Sequence, residues 1–225
     1  MIHRFSIAAV AAASAAALIT ACGSGGGLAS ESPSQVLQAA QNAVKGVSSY
    51  EMKASGDFGN GITGFDFKVS GSNLGGSFTL NGSSAQMELV NGNMYLNAPA
   101  AFYQAYGAGS EASLIAGQWI EIPASALSGS GFSGMSSLSD LTDLSSALQP
   151  QGSVAADGTG TVDGQSVVII KDTGTGDTLA VAASGTAYPV QIKKAGSPSG
   201  TLDLSNWNSV PAFTPPPNPI TVPGA

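Results

Sequence analysis

The stretch FDFKVSGSNLGGSFTLNGSSAQMELVNGNMYL, residues 65–96, decides the fold. Apolar and polar side chains alternate along it with a period of two, which places them on opposite faces of a β-strand. Two Asn-Gly pairs, at residues 81–82 and 91–92, interrupt the alternation and are typical of two-residue hairpin turns. The stretch therefore predicts an antiparallel meander with one apolar face and one polar face.

Helices and further strands are predicted on both sides of this meander. Ser32 and Gln35 are spaced as in a capping box, and apolar residues at helical spacing continue to Val47, which predicts an N-terminal helix. The same spacing predicts short helices within residues 98–114 and 137–148, and the Ser- and Gly-rich residues 124–136 between them are either a lid or a connector. Asp-Gly pairs at residues 157–158 and 163–164 predict turns in a second set of strands. These strands are predicted at residues 154–162, 165–171, 178–183, 188–193 and 201–206.

The first 21 residues have the features of a signal peptide. Arg4 precedes an apolar, alanine-rich run that is too short for a comfortable membrane span. The run ends in ITAC, residues 19–22, which resembles the lipobox of bacterial lipoproteins. That resemblance implies a diacylglyceryl group, with palmitate-like chains, on Cys22; the alternative is an ordinary cysteine near a cleavage site. We then expect residues 22–32 to form a flexible linker, tethering the domain to the outer face of the cell membrane.

Removal of the signal leaves a chain without histidine, arginine or a second cysteine. Histidine-activated nucleophiles and ordinary zinc, copper or haem sites are therefore excluded, and no cofactor, metal or catalytic residue is predicted. The remaining 6 lysines against 14 acids give a net charge of -8, which disfavours nucleic acids. The protein is expected not to be an enzyme; the alternative is a hydrolase that uses a pair of carboxylates alone, since such a pair needs spatial and not sequential proximity.

Three weaker motifs have an alternative interpretation each. Asp140 and Asp143 could form an acid pair or a calcium site, but they better fit the start of a helix. Residues 158–164 approximate a dinucleotide-binding loop, but a hairpin turn fits better. Residues 81–83 match a glycosylation sequon, but in an exported bacterial-type chain they favour an Asn-Gly turn.

Four phrases in fixed order resemble a known family. They are SSYEMKASG at 48–56, NGNMYL at 91–96, GQWIEIP at 117–123 and AYPVQI at 187–192. Together with the lipobox, they resemble bacterial envelope lipoproteins of the LppX/LprG type (LppX_LprAFG), whose fold is similar to that of LolA and LolB. The resemblance implies an α+β fold: a curved antiparallel half-barrel of about 10–11 strands, with the N-terminal helix and two inserted helices on its concave side. This LolA-like domain is expected over residues 33–207, followed by a disordered Pro-rich tail at 208–225.

The same resemblance implies a hydrophobic cavity for acyl chains of a lipid or glycolipid. The family has no catalytic motif to carry over, so the strand and helix periodicity selects the candidate cavity residues. They are Phe65, Phe67, Phe78, Leu80, Met87, Leu89, Met94, Leu96, Phe102, Tyr106, Leu141 and Leu144. The expected function is lipid binding or transport by a monomeric, membrane-anchored lipoprotein. The alternative is a structural or interaction lipoprotein with a closed core and no small ligand, because sequence cannot distinguish a filled core from a cavity.

Overall fold

The computed structural model describes residues 27–58, 61–123, 144–197 and 199–221. It shows one open, curved sheet of twelve strands, with the helices few and short. The strand order is β12-β6-β5-β4-β3-β2-β1-β11-β10-β9-β8-β7, and every pairing except that of β12 with β6 is antiparallel. The predicted α+β half-barrel is confirmed, with one or two more strands than expected.

The element bounds follow the predicted segments closely. The helices are α1 Pro33–Val44, α2 Ala100–Ala105, α3 Ala112–Ile115 and α4 Leu144–Ala147. The strands are β1 Ser49–Gly56, β2 Ile62–Ser70, β3 Asn73–Leu80, β4 Ser83–Val90, β5 Asn93–Asn97, β6 Ile120–Ile122, β7 Val154–Val162, β8 Gln165–Asp172, β9 Thr178–Ala182, β10 Pro189–Lys194, β11 Gly200–Ser205 and β12 Ile220–Thr221.

The predicted Asn-Gly turns join β3 to β4 and β4 to β5. Asn81 and Asn91 have φ angles of 50° and 53°, and the glycine that follows each also has a positive φ. Two successive positive φ angles define the turn type whose twist matches that of the strands. Asp163 and Gly164 form the same turn between β7 and β8, with φ angles of 47° and 80°.

The other Asp-Gly pair does not form a turn. Asp157 and Gly158 lie within β7, where the pairing with β8 shifts between Ala156 and Gly158. Gly158 has a φ of 104°, which suits glycine at a β-bulge. An Asp-Gly pair fits either a turn or a bulge. Here β7 pairs with β8 on both sides of the pair, so the strand continues through it.

The N-terminal helix begins as predicted. Pro33 is its first residue, and the backbone N–H of Ser32 donates to Oε1 of Gln35 at 3.0 Å. Its buried residues Val36, Ala40 and Val44 pack on the concave face of β7 and β8. The linker predicted to be flexible is partly ordered, because residues 28–30 form a 3₁₀ helix before α1.

The Pro-rich segment differs from the disordered tail that was predicted. Residues 206–221, here called the strap, cross the convex face of the sheet from β11 to β6. Their backbone N–H groups donate from Asn208 to the carbonyl of Ser49 at 2.7 Å and from Ile220 to that of Trp119 at 2.8 Å. Prolines cannot pair in a central strand, but an extended proline segment can lie over a sheet and end as a short edge strand.

Close packing of β2 on β3 requires a glycine at position 76. A Cβ atom there would lie 2.0 Å from the carbonyl oxygen of Asp66. We expect Gly76→Ala to lower the free energy of unfolding by about 2 kcal/mol or more, because the two strands must separate. Gly46→Ala is the matched control, with nothing within 4 Å of the new methyl group, and should change it by less than about 0.5 kcal/mol. Urea unfolding followed by circular dichroism measures both, and equal effects would contradict the packing.

Candidate ligand-binding site

The concave face of the sheet is continuously apolar. Strand alternation directs Phe67 and Val69 of β2, Leu74 and Phe78 of β3, and Met87 of β4 into one core, where each is at most 5% exposed. The same core takes in side chains from β5, β6, β8, β9 and β11 and from the helices. One surface of the sheet therefore presents mainly apolar side chains to whatever packs on it.

A row of aromatic rings runs across this face. The ring centroids are 5.7 Å apart between Phe58 and Phe65, 5.2 Å between Phe65 and Phe67, and 6.5 Å between Phe67 and Phe78. Phe102 of α2 continues the row, edge-on to Phe78 at 6.0 Å. Phe58 and Phe65 are half-buried whereas Phe102 is fully buried, so the row leads from a partly exposed rim into the core.

A small apolar cavity lies at the other half of the sheet. It measures about 80 Å³ and lies between α1, the residues after α4 and strands β8 to β10. Leu37, Leu148, Ile170, Leu179 and Ile192 line it. Pockets that enclose a whole small molecule measure about 300–1,000 Å³, so this cavity has room for a few methylene groups and not for a whole lipid.

One carboxylate fixes the rim of this cavity. Asp172 accepts backbone hydrogen bonds from Gly174 at 2.7 Å and from Gln151 at 2.6 Å. These donors hold the pKa of the Asp172 carboxyl below its usual range, because they stabilise the charged form. Asp177, on the same rim, accepts the N–H of Ala195 at 2.8 Å. The loops that close the cavity are therefore attached to one another through two acids.

Eleven of the twelve predicted cavity residues lie in the described part of the chain, and they differ in exposure. Seven are buried in the concave core: Phe67, Phe78, Met87, Met94, Leu96, Phe102 and Leu144. Three are half-buried against the core, namely Phe65, Leu80 and Leu89. Tyr106 is 37% exposed, although its ring still contacts Phe102 at 4.9 Å. Leu141 and Cys22 lie outside the described residues, as do Asp140, Asp143 and the candidate lid. For every one of the predicted site residues, contact with a ligand stays a prediction.

The residues that line the small cavity were not among those candidates. Ile192 alternates with polar neighbours, but Ile170 and Leu179 lie in continuous apolar runs of β8 and β9, in which alternation does not indicate a face. The position of α1 was missing as well. Only the fold places Leu37 of that helix over β8 to β10 rather than over the meander.

The described ranges contain no group of three or more metal-ligating side chains. None of the helices described there is long and apolar enough to cross a membrane.

Comparison with solved structures identifies the fold. The lipoprotein LppX of Mycobacterium tuberculosis aligns with a TM-score of 0.54 at 18% identity, over 80% of this chain and 99% of LppX. LprF from Mycobacterium bovis aligns with a TM-score of 0.59 at 16% identity, over 83% of this chain and 99% of LprF. The chain has the LppX/LprF fold. No protein-family model matches it, and no curated protein matches it in sequence.

The LppX/LprF fold is the one that the four sequence phrases implied. At such low identity the likeness extends to the fold and not to individual side chains. The cavity residues must therefore be taken from the geometry of this chain, in which α1, α2 and α4 contribute buried residues to the concave core.

The acid at the cavity rim gives a pH-dependent prediction. Asp172→Asn should lower the melting temperature by a few degrees at pH 7, because one amide N–H then loses its acceptor. The pKa of Asp172 is lowered by folding, so its contribution is present above the ordinary value of about 3.9 and is lost as the pH falls through the folded pKa. The difference in melting temperature between Asp172→Asn and the parent protein should therefore become smaller below pH 4. Calorimetry at several pH values measures this difference. A difference that does not change with pH would contradict the stabilising role of the Asp172 carboxylate.

Proposed function

We propose that this chain is a lipid-anchored envelope lipoprotein that binds acyl chains against its concave face. The observation that carries the proposal is the aromatic row, which runs from the half-buried Phe58 and Phe65 to the fully buried Phe102. Apolar burial contributes the same free energy whether the neighbour is a side chain or an acyl chain, so a partly open apolar face favours lipid. The fold shared with the lipoprotein LppX and with LprF supports the same assignment.

The described residue nearest in sequence to the proposed anchor, Gly27, lies at one end of the sheet. Gly27 packs so closely against the end of β9 that a Cβ atom there would lie 3.2 Å from the carbonyl oxygen of Ala183. Five residue steps separate Gly27 from Cys22, which is at most about 18 Å of extended chain. Acyl chains on Cys22 would therefore keep this end of the sheet near the membrane, where lipids enter and leave.

A closed core is the second candidate, and tight packing favours it. Phe67, Met87 and Leu96 are each 1% exposed, and the cavity beside α1 is small. In that case the core would be filled by protein, and the protein would act through its polar surface. Loading the protein with lipid separates the two candidates.

Loss of the cysteine tests the anchor. Cys22→Ser should abolish incorporation of a palmitate analogue, because the thiol that would carry the diacylglyceryl group is absent. Metabolic labelling measures it. The anchor would be disproved by a Cys22→Ser protein that still carries the label.

Native mass spectrometry tests the lipid site. Residues 23–225, incubated with a membrane lipid extract, should retain an adduct with the mass of a lipid. Phe65→Gln should reduce the adduct about tenfold, because it places an amide in the apolar row at a half-buried position. Leu114→Gln is the matched control: Leu114 is 72% exposed on α3, and the same change there should leave the adduct intact.

Circular dichroism of each variant establishes that it is folded. A folded parent protein that retains no adduct from any extract would contradict lipid binding and favour the closed core. Equal loss in both variants would locate the lipid elsewhere than on the concave face.

A further inference from the structure

The convex face carries a groove that the lipid site does not use. It measures about 330 Å³ and runs over β1 to β4 toward the start of β6. Polar side chains of Asp66, Lys68, Ser77, Gln86 and Glu88 line it. This volume is within the range of pockets that enclose small molecules.

Two aromatic residues and the strap give the groove its shape. Phe213 of the strap lies directly on Gly75 of β3, where a Cβ atom would be only 2.6 Å from its ring. Trp119 lines the groove, and its carbonyl accepts the N–H of Ile220 at 2.8 Å. The strap therefore holds the backbone of Trp119 in place at the edge of the groove.

Several polar groups in the groove have no protein partner. Among the hydrogen bonds of the described residues, none involves the side chains of Ser77, Gln86 or Glu88. The carboxyl of Glu88 is half-buried, and burial raises its pKa. A half-buried carboxyl without a donor is costly unless a ligand or water supplies one.

The lining of the groove carries three carboxylates, of Glu51, Asp66 and Glu88, and one lysine, Lys68. Asp66 forms an ion pair with Lys53 at 3.0 Å, and Glu51 accepts a hydrogen bond from the side-chain amide of Asn206. Lys68 lies on the same surface as Glu88. An anion would meet three carboxylates and no arginine and is disfavoured. With Lys53, which lies beside the groove and pairs with Asp66, three carboxylates against two lysines leave a net charge of -1, which attracts a cation only weakly.

A second groove extends the first. It measures about 430 Å³, shares Ser77 and Gln86 with the first, and adds the side chains of Ser84 and Asn97. The three strand spacings from β1 to β4 alone span about 14 Å, which exceeds one small ligand. The lining is rich in hydroxyl and amide groups, which both donate and accept hydrogen bonds.

We propose that the convex grooves bind a neutral glycan. Sugar hydroxyls both donate and accept, which matches the unpartnered serine, glutamine and glutamate groups, and the apolar face of a sugar ring packs on an aromatic ring such as Trp119. An extended peptide fits less well. The strands under the groove are paired on both sides and offer no free edge for strand addition.

Calorimetric titration of residues 23–225 tests the site. The probes are four neutral linear hexasaccharides, of β-linked glucose, β-linked N-acetylglucosamine, α-linked mannose and α-linked glucose. At least one should bind saturably. Gln86→Ala and Glu88→Gln should each weaken binding about tenfold, the effect of losing a hydrogen bond to a ligand. Gln38→Ala is the matched control, because Gln38 is an exposed glutamine on α1 at the opposite face, and it should bind as the parent does.

Three results would overturn the glycan site. One is no saturable binding of any of the four probes to folded protein. Another is binding that neither Gln86→Ala nor Glu88→Gln weakens. The third is binding of tetralysine, in place of the sugars, with the same dependence on Gln86 and Glu88, which would assign the groove to a cationic peptide. Lipid loading of the same variants should be unchanged, since the concave face lies on the other side of the sheet.

Discussion

Burial of one face of an open twelve-stranded sheet is the constraint on which the rest of this structure depends. The concave side carries apolar groups from nearly every strand, and an open sheet cannot close on itself to cover them. Each large side chain buried there contributes about 1.5–3 kcal/mol. The positions of α1, α2 and α4 follow from this requirement. So does the proposed function, because whatever part of the face the helices leave half-buried is available to another hydrocarbon.

The convex face meets a different requirement. Over β8 to β10 it carries a second buried apolar cluster, of Val167, Ala180, Ala182 and Val190. Over β1 to β4 it is polar and can remain in water, so nothing forces that part to be covered. The chain nevertheless returns across it, and Phe213 packs where Gly75 leaves room. Glu121 joins the end of this strap to the sheet, accepting hydrogen bonds from Asn93 at 2.9 Å and from Thr221 at 3.4 Å. Over β1 to β4 the protein thus has an apolar surface and a polar surface, separated by the thickness of a single sheet.

Local sequence predicted most of the strands, because alternation and Asn-Gly turns are local signals. The turn at Asn81 and the capping of α1 at Gln35 needed no tertiary information. Three features did need it: the bulge at Gly158, the strap ending as β12, and the placement of Leu37 over the cavity. Each depends on a partner far away in the chain. The buried Phe67 and the half-buried Phe65 lie two residues apart on the same face of β2. Strand alternation therefore could not show which of them is more accessible to a ligand.

The most direct test of the account is a nuclear Overhauser measurement on methionine methyl groups. Met52, Met87 and Met94 are buried in the concave core at 1–2% exposure and report on its interior. With ¹³C-methyl methionine and a protonated fatty-acyl lipid, the account predicts cross-peaks between the acyl methylenes and the methyls of Met87 or Met94. Unchanged methyl shifts and no such cross-peaks in a lipid-saturated sample would contradict it, and would show that the concave core is closed.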